Sequence, residues 1–389
     1  MSATSQDFPF TILDVAGLLP LRIKRRTAGS FYVDCPFCGD TKGRLNISRK
    51  NVWRCNRCDA SGGMLALYAR MYGISNAEAY REICEALGCD HSNGDTATPA
   101  RRCPESAVLL PPAVPQAAPA APQTIHQTLT LLLEQLSLSP RHKAHLLSPK
   151  RGLTDAQIER FGFKSTPPSF LCRGLAERLL AKGCTLQGVP GFYQGEDGKW
   201  TVNFSNRTSG ILIPAVGLDG LLCGIQILLD RPLRDKDDPP EKKGAKYIWF
   251  SSNDRRMGVT SGSPVHFVGD PFAKTVYVTE GLLKADIAHC LTGRSFVAVA
   301  GVSSLANLER QLPVLAHSGT RTIVEAFDMD KRSKPQVSAA CEKMEQMVLT
   351  NRMQCIHLTW DATYKGIDDW QLAMRAAQAQ NEPINQRAA

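Results

Sequence analysis

Thr275-Val276-Tyr277-Val278-Thr279-Glu280-Gly281 is the stretch on which the fold turns. An apolar run of β-type residues ends there in an acid and a glycine. A helical pattern follows over Leu282–Leu291, and a second apolar run spans Phe296–Ala300. The rhythm continues with a helix over Leu305–Ala316, a third strand at Thr322–Phe327, a helix at Gln336–Thr350 and a fourth strand at Cys355–Thr359. Strand–helix alternation of this kind predicts a parallel sheet covered by helices. In such sheets chemistry gathers at the carboxyl ends of the strands.

Acids stand at those ends. Glu280 closes the first strand, and Phe327-Asp328-Met329-Asp330 closes the third. Alternation puts Asp328 and Asp330 on one side of the chain, where both can hold a hard cation through oxygen ligands. Glu280 adds a third carboxylate or a general base. Lys365-Gly366-Ile367-Asp368-Asp369 brings two more acids to the same edge. Carboxylates so arranged suit magnesium-dependent work on phosphates, because the metal must bridge protein and phosphate oxygens. A D-x-D alone is a weak signal, since solvated acids at strand ends are common. Here it gains weight from the strand-end Glu-Gly.

Upstream, Gly210–Val216 and Leu221–Leu229 are short β-rich runs, preceded by helical patterns from about Thr124. Before these lies Thr98–Gln123, rich in Pro and Ala, which reads as a semi-extended linker without a core. The N-terminal part holds Cys35-Pro36-Phe37-Cys38 and, after sixteen residues, Cys55-Asn56-Arg57-Cys58, then helical patterns at Met64–Tyr72 and Asn76–Leu87. Two C-x-x-C knuckles at this spacing complete a closed four-thiolate shell, which is the pattern of one structural zinc. There is no phosphate-loop motif and no fixed-period repeat.

The chain of 389 residues carries a net charge of +9, and +8 of it lies between Leu21 and Cys58. That concentration predicts a polyanion-binding patch, with nucleic acid as the commonest partner. Arg44, Trp53 and Arg54, with Phe31 and Tyr32, suit phosphate contact and base stacking. The bland alternative is a solvated basic face. Met1–Pro20 lacks the pattern of a signal peptide, and no apolar stretch approaches a membrane span. A cytoplasmic protein with reduced thiols and no membrane partner is the expectation. His126, His142 and His145 read as solvated or capping, Gly217, Gly220 and Gly224 as hairpin punctuation, and Arg231–Lys246 as a solvated loop.

In this order the motifs resemble the bacterial DnaG-type DNA primases, in particular the short forms on mobile elements and phages. Asp14-Val15, the two knuckles and Ser61-Gly62-Gly63 look like the primase zinc-binding domain. Lys150-Arg151-Gly152-Leu153-Thr154 looks like the opening of its polymerase domain. Gly210–Pro214, Gly224-Ile225 and Lys246-Tyr247 resemble its middle, and the final segment resembles a Toprim domain. The resemblance implies a multidomain α+β and α/β chain. Residues 1–97 are a zinc ribbon domain, 98–123 the linker, 124–265 a mixed α+β middle domain, 266–375 a Toprim domain and 376–389 a tail. It implies Glu280, Asp328 and Asp330 as catalytic acids binding magnesium or manganese, with Asp368 and Asp369 contributing. Arg151, Lys246 and Lys284 would face template or nucleotide.

Three departures stand out. Lys284 takes the place of the second acid of E-G-x-x-D, Gly224 is followed by Ile225 rather than Arg, and Lys331-Arg332 follow the D-x-D. The chain also ends soon after Asp369, without a counterpart of the family's helicase-binding domain, which leaves room for a separately encoded replicative helicase. The leading expectation is a bacterial primase making short RNA primers from ribonucleoside triphosphates on single-stranded DNA. A single-strand-binding replication or transfer accessory and a Toprim nuclease stay open beside it.

Overall fold

The computed structural model describes residues 8–27, 30–58, 60–89, 115–234, 244–253, 255–301, 305–329 and 335–381. The chain divides into two compact units, Met1–Gln116 with Asn253–Arg255, and Ala117–Ser252 with Arg256–Ala389.

In the first unit, helix α1 (Ile12–Gly17) precedes five strands, β1 (Ile23–Thr27), β2 (Ser30–Cys35), β3 (Asp40–Ser48), β4 (Val52–Cys55) and β5 (Ser61–Gly63). They pair antiparallel in sequence order, and α2 (Met64–Tyr72) and α3 (Asn76–Leu87) follow. Both helices begin and end where the sequence pattern puts them. Ser75 and Glu78 form a reciprocal capping box at the start of α3, and Gly88 ends it in a left-handed conformation. One face of the sheet carries Phe31, Val33, Leu45, Ile47 and Trp53 into the core against α1 and α2.

The second unit opens with α4 (Pro122–Glu134), α5 (Pro140–Leu147), α6 (Asp155–Phe161), β6 (Lys164–Ser165) and α7 (Cys172–Ala181). A small hairpin, β7 (Phe192–Gln194) and β8 (Trp200–Val202), comes next. Strands β9 (Gly210–Val216), β10 (Leu222–Leu233) and β11 (Ala245–Trp249) then form an antiparallel sheet with β6, in the order β11-β10-β9-β6. Gly217–Gly220 is the turn of the β9–β10 hairpin, with Gly220 at φ +75°.

The part of the Pro/Ala stretch that is described does not hang loose. The Ala117 amide donates to the Gly258 carbonyl and that of Ala120 to Gly188, and Pro122 starts α4, where a missing N–H costs nothing. The rest, residues 98–114, lies outside the described residues.

The final layer is the alternating one: β12 (His266–Val268), β13 (Thr275–Glu280), α8 (Leu282–Thr292), β14 (Ser295–Val299), α9 (Leu305–His317), β15 (Thr322–Glu325), α10 (Pro335–Thr350), β16 (Gln354–His357) and α11 (Ile367–Asn381). The strand order is β12-β14-β13-β15-β16, parallel throughout except for the antiparallel edge strand β12. Helices α8 and α11 pack together, and α9 packs against α10. Val276 and Val278 enter the core shared with α9 and α10, while Tyr277 enters the core shared with α8. Strands buried on both faces explain why their sequences read as unbroken apolar runs.

Candidate functional sites

The knuckles bring four sulfurs together. Cys35 ends β2 and Cys55 ends β4, so the sheet register sets the distance between the pairs. Cys35 Sγ lies 4.0 Å from Cys58 Sγ, and Cys38 Sγ lies 4.0 Å from Cys55 Sγ. All four Sγ atoms fall within 4.8 Å of one another. Thiolates about 2.3 Å from a tetrahedral zinc sit about 3.8 Å apart, so the quartet fits one ion with little adjustment. The Arg57 amide points at Cys55 Sγ (3.4 Å), and burial pushes the Cys35 thiol up to about 12.

Between the knuckles, buried Asp40 accepts from the Lys42 and Arg44 amides and sits 3.8 Å from both the Arg44 and Arg57 guanidiniums. Two of the segment's ten cationic side chains therefore share a buried counter-charge, already counted in the net +8. On the solvent face, register aligns Arg25, Tyr32, Asn46 and Arg54 in a row across β1–β4. The Arg25 guanidinium lies 4.1 Å over the Tyr32 ring. Trp53 corrects the expectation of a stacking surface. It is 2% exposed, donates from its indole to the Gly63 carbonyl and packs on Phe37. Phe31 is likewise in the core.

The second site lies in the second unit, at the carboxyl edge of the parallel sheet. Glu280 ends β13, and Gly281 at φ +88° turns the chain into α8 while its amide donates to Val299. A residue with a Cβ is strained at that angle, which explains the Glu-Gly pairing. Lys284, in the first turn of α8, places its ammonium on Asp328 Oδ1 just beyond β15. Lys365 lies 3.3 Å from the other oxygen of Asp328. Arg151, which follows α5, lies 3.8 Å from Asp368 Oδ2 at the start of α11.

Asp328 and Asp368 are 4% and 1% exposed. Burial alone depresses the Lys284 ammonium's pKa, but Asp328 by charge and hydrogen bond, then Asp368 and Glu280, reverse this and hold it raised. Burial also raises the Asp368 carboxyl and the Tyr247 phenol, against the pull of Lys284 and Arg151. Tyr247 is the residue sequence reasoning passed over. Its phenol feels the charges of Arg151 and Lys284, whereas its neighbour Lys246 is exposed and, by strand alternation, on the other side of β11. Strand alternation separates the two, so Lys246 does not join the acid cluster.

The donor set is all carboxylate, as a hard divalent cation requires, and Asp368 Oδ1 is buried without a hydrogen-bond partner among the described residues. Both Asp328 oxygens already face ammonium groups. Among the described residues the cysteine quartet is the one group of three or more ligating side chains within 4.8 Å. The acids are of the type a hard cation takes, and the unpartnered Asp368 Oδ1 is open to one, but the carboxylates are not gathered into a ready-made shell, and Lys284 stands among them. Asp330 lies outside the described residues; Asp369 is half-buried beside Asp368.

Two features carry chemistry the sequence hid. His142 is buried, 8% exposed, with its ring nitrogens 2.7 Å from Ser165 Oγ and 2.8 Å from Asp230 Oδ1; it is neither solvated nor a cap. His126 accepts from the Leu222 amide, and His145 is exposed beside Arg151. Next to Asp230, Arg141, Arg207, Arg231 and Arg234 line a cavity of about 510 Å³.

Residues 268–378 match a family described as a domain of unknown function (DUF3854). Among solved structures, the chain is similar to the zinc-binding and RNA polymerase domains of the Aquifex aeolicus primase, at 16% identity and TM-score 0.47, covering 96% of this chain and 83% of that one. It is also similar to the RNA polymerase domain of Mycobacterium tuberculosis primase DnaG (18% identity, TM-score 0.46, 67% and 84% covered). A DNA primase domain from Pseudomonas aeruginosa gives 17% identity and TM-score 0.44, with 66% and 77% covered. No curated protein sequence matches the chain. No helix among the described residues is long and apolar enough to cross a membrane.

Proposed function

We propose that the chain is a primase-type nucleotidyltransferase that makes short RNA primers from ribonucleoside triphosphates on single-stranded DNA, serving a mobile element or phage in the bacterial cytoplasm. The observation that carries this reading is the meeting of Glu280, Asp328, Asp368, Arg151, Tyr247 and Lys284, drawn from separate stretches, at the carboxyl edge of a parallel sheet. Such an edge is where phosphate chemistry is built in open α/β sheets. A basic zinc module in the same chain adds a place for template.

Magnesium or manganese, held by Glu280, Asp328 and Asp368, with Asp369 beside Asp368 and Asp330 as the further acid of the D-x-D motif, would supply Lewis-acid stabilisation of phosphate charge. The chain's own groups do the rest. The Arg151 guanidinium, paired with Asp368 and close enough to Tyr247 to act on its phenol, is a planar fork for phosphate oxygens. Lys365, whose side chain is 65% exposed, can leave Asp328 for an incoming triphosphate at little cost. The four-arginine cavity offers a further phosphate-binding surface, and the row Arg25, Tyr32, Asn46, Arg54 offers stacking plus charge to a single strand.

The ion pairs on Asp328 favour a second reading, an accessory that grips single strands without polymerising. The product decides between them. Incubation with single-stranded DNA, ribonucleoside triphosphates and Mg²⁺ or Mn²⁺ yields short RNA under the first reading. Salt-dependent binding with no RNA is the outcome of the second, and nicked DNA would point to a nuclease.

A further inference from the structure

We propose that Lys284 is a resident cation of the acid cluster: its ammonium takes the charge-balancing place of one divalent ion, so the cluster binds a single divalent ion, and weakly until a nucleotide arrives. The inference rests on reading the cluster as a metal-dependent phosphate site.

Three observations converge. Lys284 is on Asp328 by direct contact, from the first turn of α8, with a side chain only 22% exposed. Its head also feels the charges of Asp368 and Glu280, so one ammonium serves three carboxylates from three strand-end segments. The loop Lys365–Ile367 is shaped around it. A Cβ placed on Gly366 would lie 3.3 Å from Lys284 Nζ and 2.4 Å from Asp368 Oδ1, so glycine leaves room for the ammonium beside Asp368.

Charge then sets the outcome. Glu280, Asp328, Asp368 and Asp369 carry four negative charges, and Lys284, Lys365 and Arg151 carry three positive ones. Lys365 is exposed and can swing out. Lys284 is enclosed, so its repulsion of an incoming divalent ion acts at short range and is poorly screened. The same enclosure makes it a permanent partner for phosphate charge that a dissociable ion does not match. An acid at this position would reverse the local charge and invite a second ion.

The test is Mn²⁺ binding to the zinc-loaded chain without nucleotide, by calorimetry and by the loss of free-Mn²⁺ electron paramagnetic resonance signal. Wild type should bind one Mn²⁺, weakly. Lys284→Met should tighten binding by about tenfold or more, and Lys284→Arg, which keeps the charge, should stay near wild type. Lys284→Met should also melt lower than wild type and regain more of its midpoint on Mn²⁺ addition. Unchanged affinity in Lys284→Met would overturn the proposal, as would two Mn²⁺ ions in wild type that Asp328→Asn abolishes. If Lys284→Met does not fold, wild-type stoichiometry and the match of Lys284→Arg decide alone; a Lys284→Arg that loses Mn²⁺ binding refutes the charge-balancing role. None of these readings requires primer synthesis. A chain that makes no RNA yet follows this pattern upholds Lys284 and sinks the polymerase reading, and the converse result does the reverse.

Discussion

Asp328 accepts two ammonium groups, one enclosed and one exposed, and this asymmetry makes it the most informative residue to change. Asp328→Asn keeps the shape but leaves Lys284 without its main partner in a nearly closed site. Breaking a buried pair from one side costs about 3 kcal/mol, so urea denaturation should show a loss of that size. Trp53 is the opposite case. Trp53→Ala should destabilise the first unit by about 3–5 kcal/mol through the cavity it leaves, whereas Arg54→Ala should leave stability nearly unchanged and reduce the salt slope of single-strand binding by about one phosphate contact. Both are read by denaturation beside fluorescence anisotropy at several salt concentrations. Asp230 supplies a pH test. Burial raises its carboxyl, but hydrogen bonds from His142 and Ser209 outweigh this, and its pKa is net lowered. A carboxyl lowered in the folded state stabilises above its unfolded value, about 3.9, and that contribution disappears as pH falls through the folded value. The stability gap between wild type and Asp230→Asn should therefore be full at pH 6 and should close below about pH 4.

At the scale of elements, phase along a strand decides what a residue can do. On β4, Val52 and Arg54 face out while Trp53 and Cys55 face in. Cys55 must face the other cysteines, so Trp53, two residues before it, shares its side; the sequence held that signal, but the stacking expectation for Trp53 overlooked it. Lys246 and Tyr247 on β11 were not separable, because no ligand or core residue on that short strand marks its phase. The positive φ of Gly281 came only with the structure, but the parallel strands were legible from their apolar runs, and the acid edge from the Glu-Gly that ends the first of them. The buried pair His266–Asp286 was not, because it joins β12 to α8 across 20 residues, and the His266 ring also accepts from the Val216 amide on β9. Asp286→Ala leaves that histidine without its acceptor. It should cost about 2–3 kcal/mol in thermal or urea unfolding, with no direct effect on metal binding.

For the whole molecule, the charge that looked global is local and partly answered from within. The +8 of Leu21–Cys58 is offset by acids on either side of it, so residues 1–116 carry 14 Lys+Arg against 11 Asp+Glu, a net of +3, and within the segment Asp40 and Asp34 are buried or half-buried against Arg44, Arg57 and Lys24. The second unit gathers carboxylates and cations in near balance at one sheet edge. The four-cysteine quartet lies in the first unit, and no comparable group occurs among the described residues of the second. Elemental analysis should find one zinc per chain. Chelation should abolish the cooperative unfolding of the first unit while leaving that of the second. His142, Asp230 and the arginines around them stayed hidden because their partners lie 23 to 88 residues apart in sequence, beyond any local pattern. The central claim is that the acid edge transfers nucleotides on a template. Its most direct measurement is the incorporation of a labelled ribonucleotide into short RNA on single-stranded DNA, by the zinc-loaded wild type and by Asp328→Asn shown to bind the same DNA equally well. The account predicts template-dependent RNA from the wild type and none from the variant. Equal RNA from both, or none from a wild type that binds DNA and zinc, would contradict it.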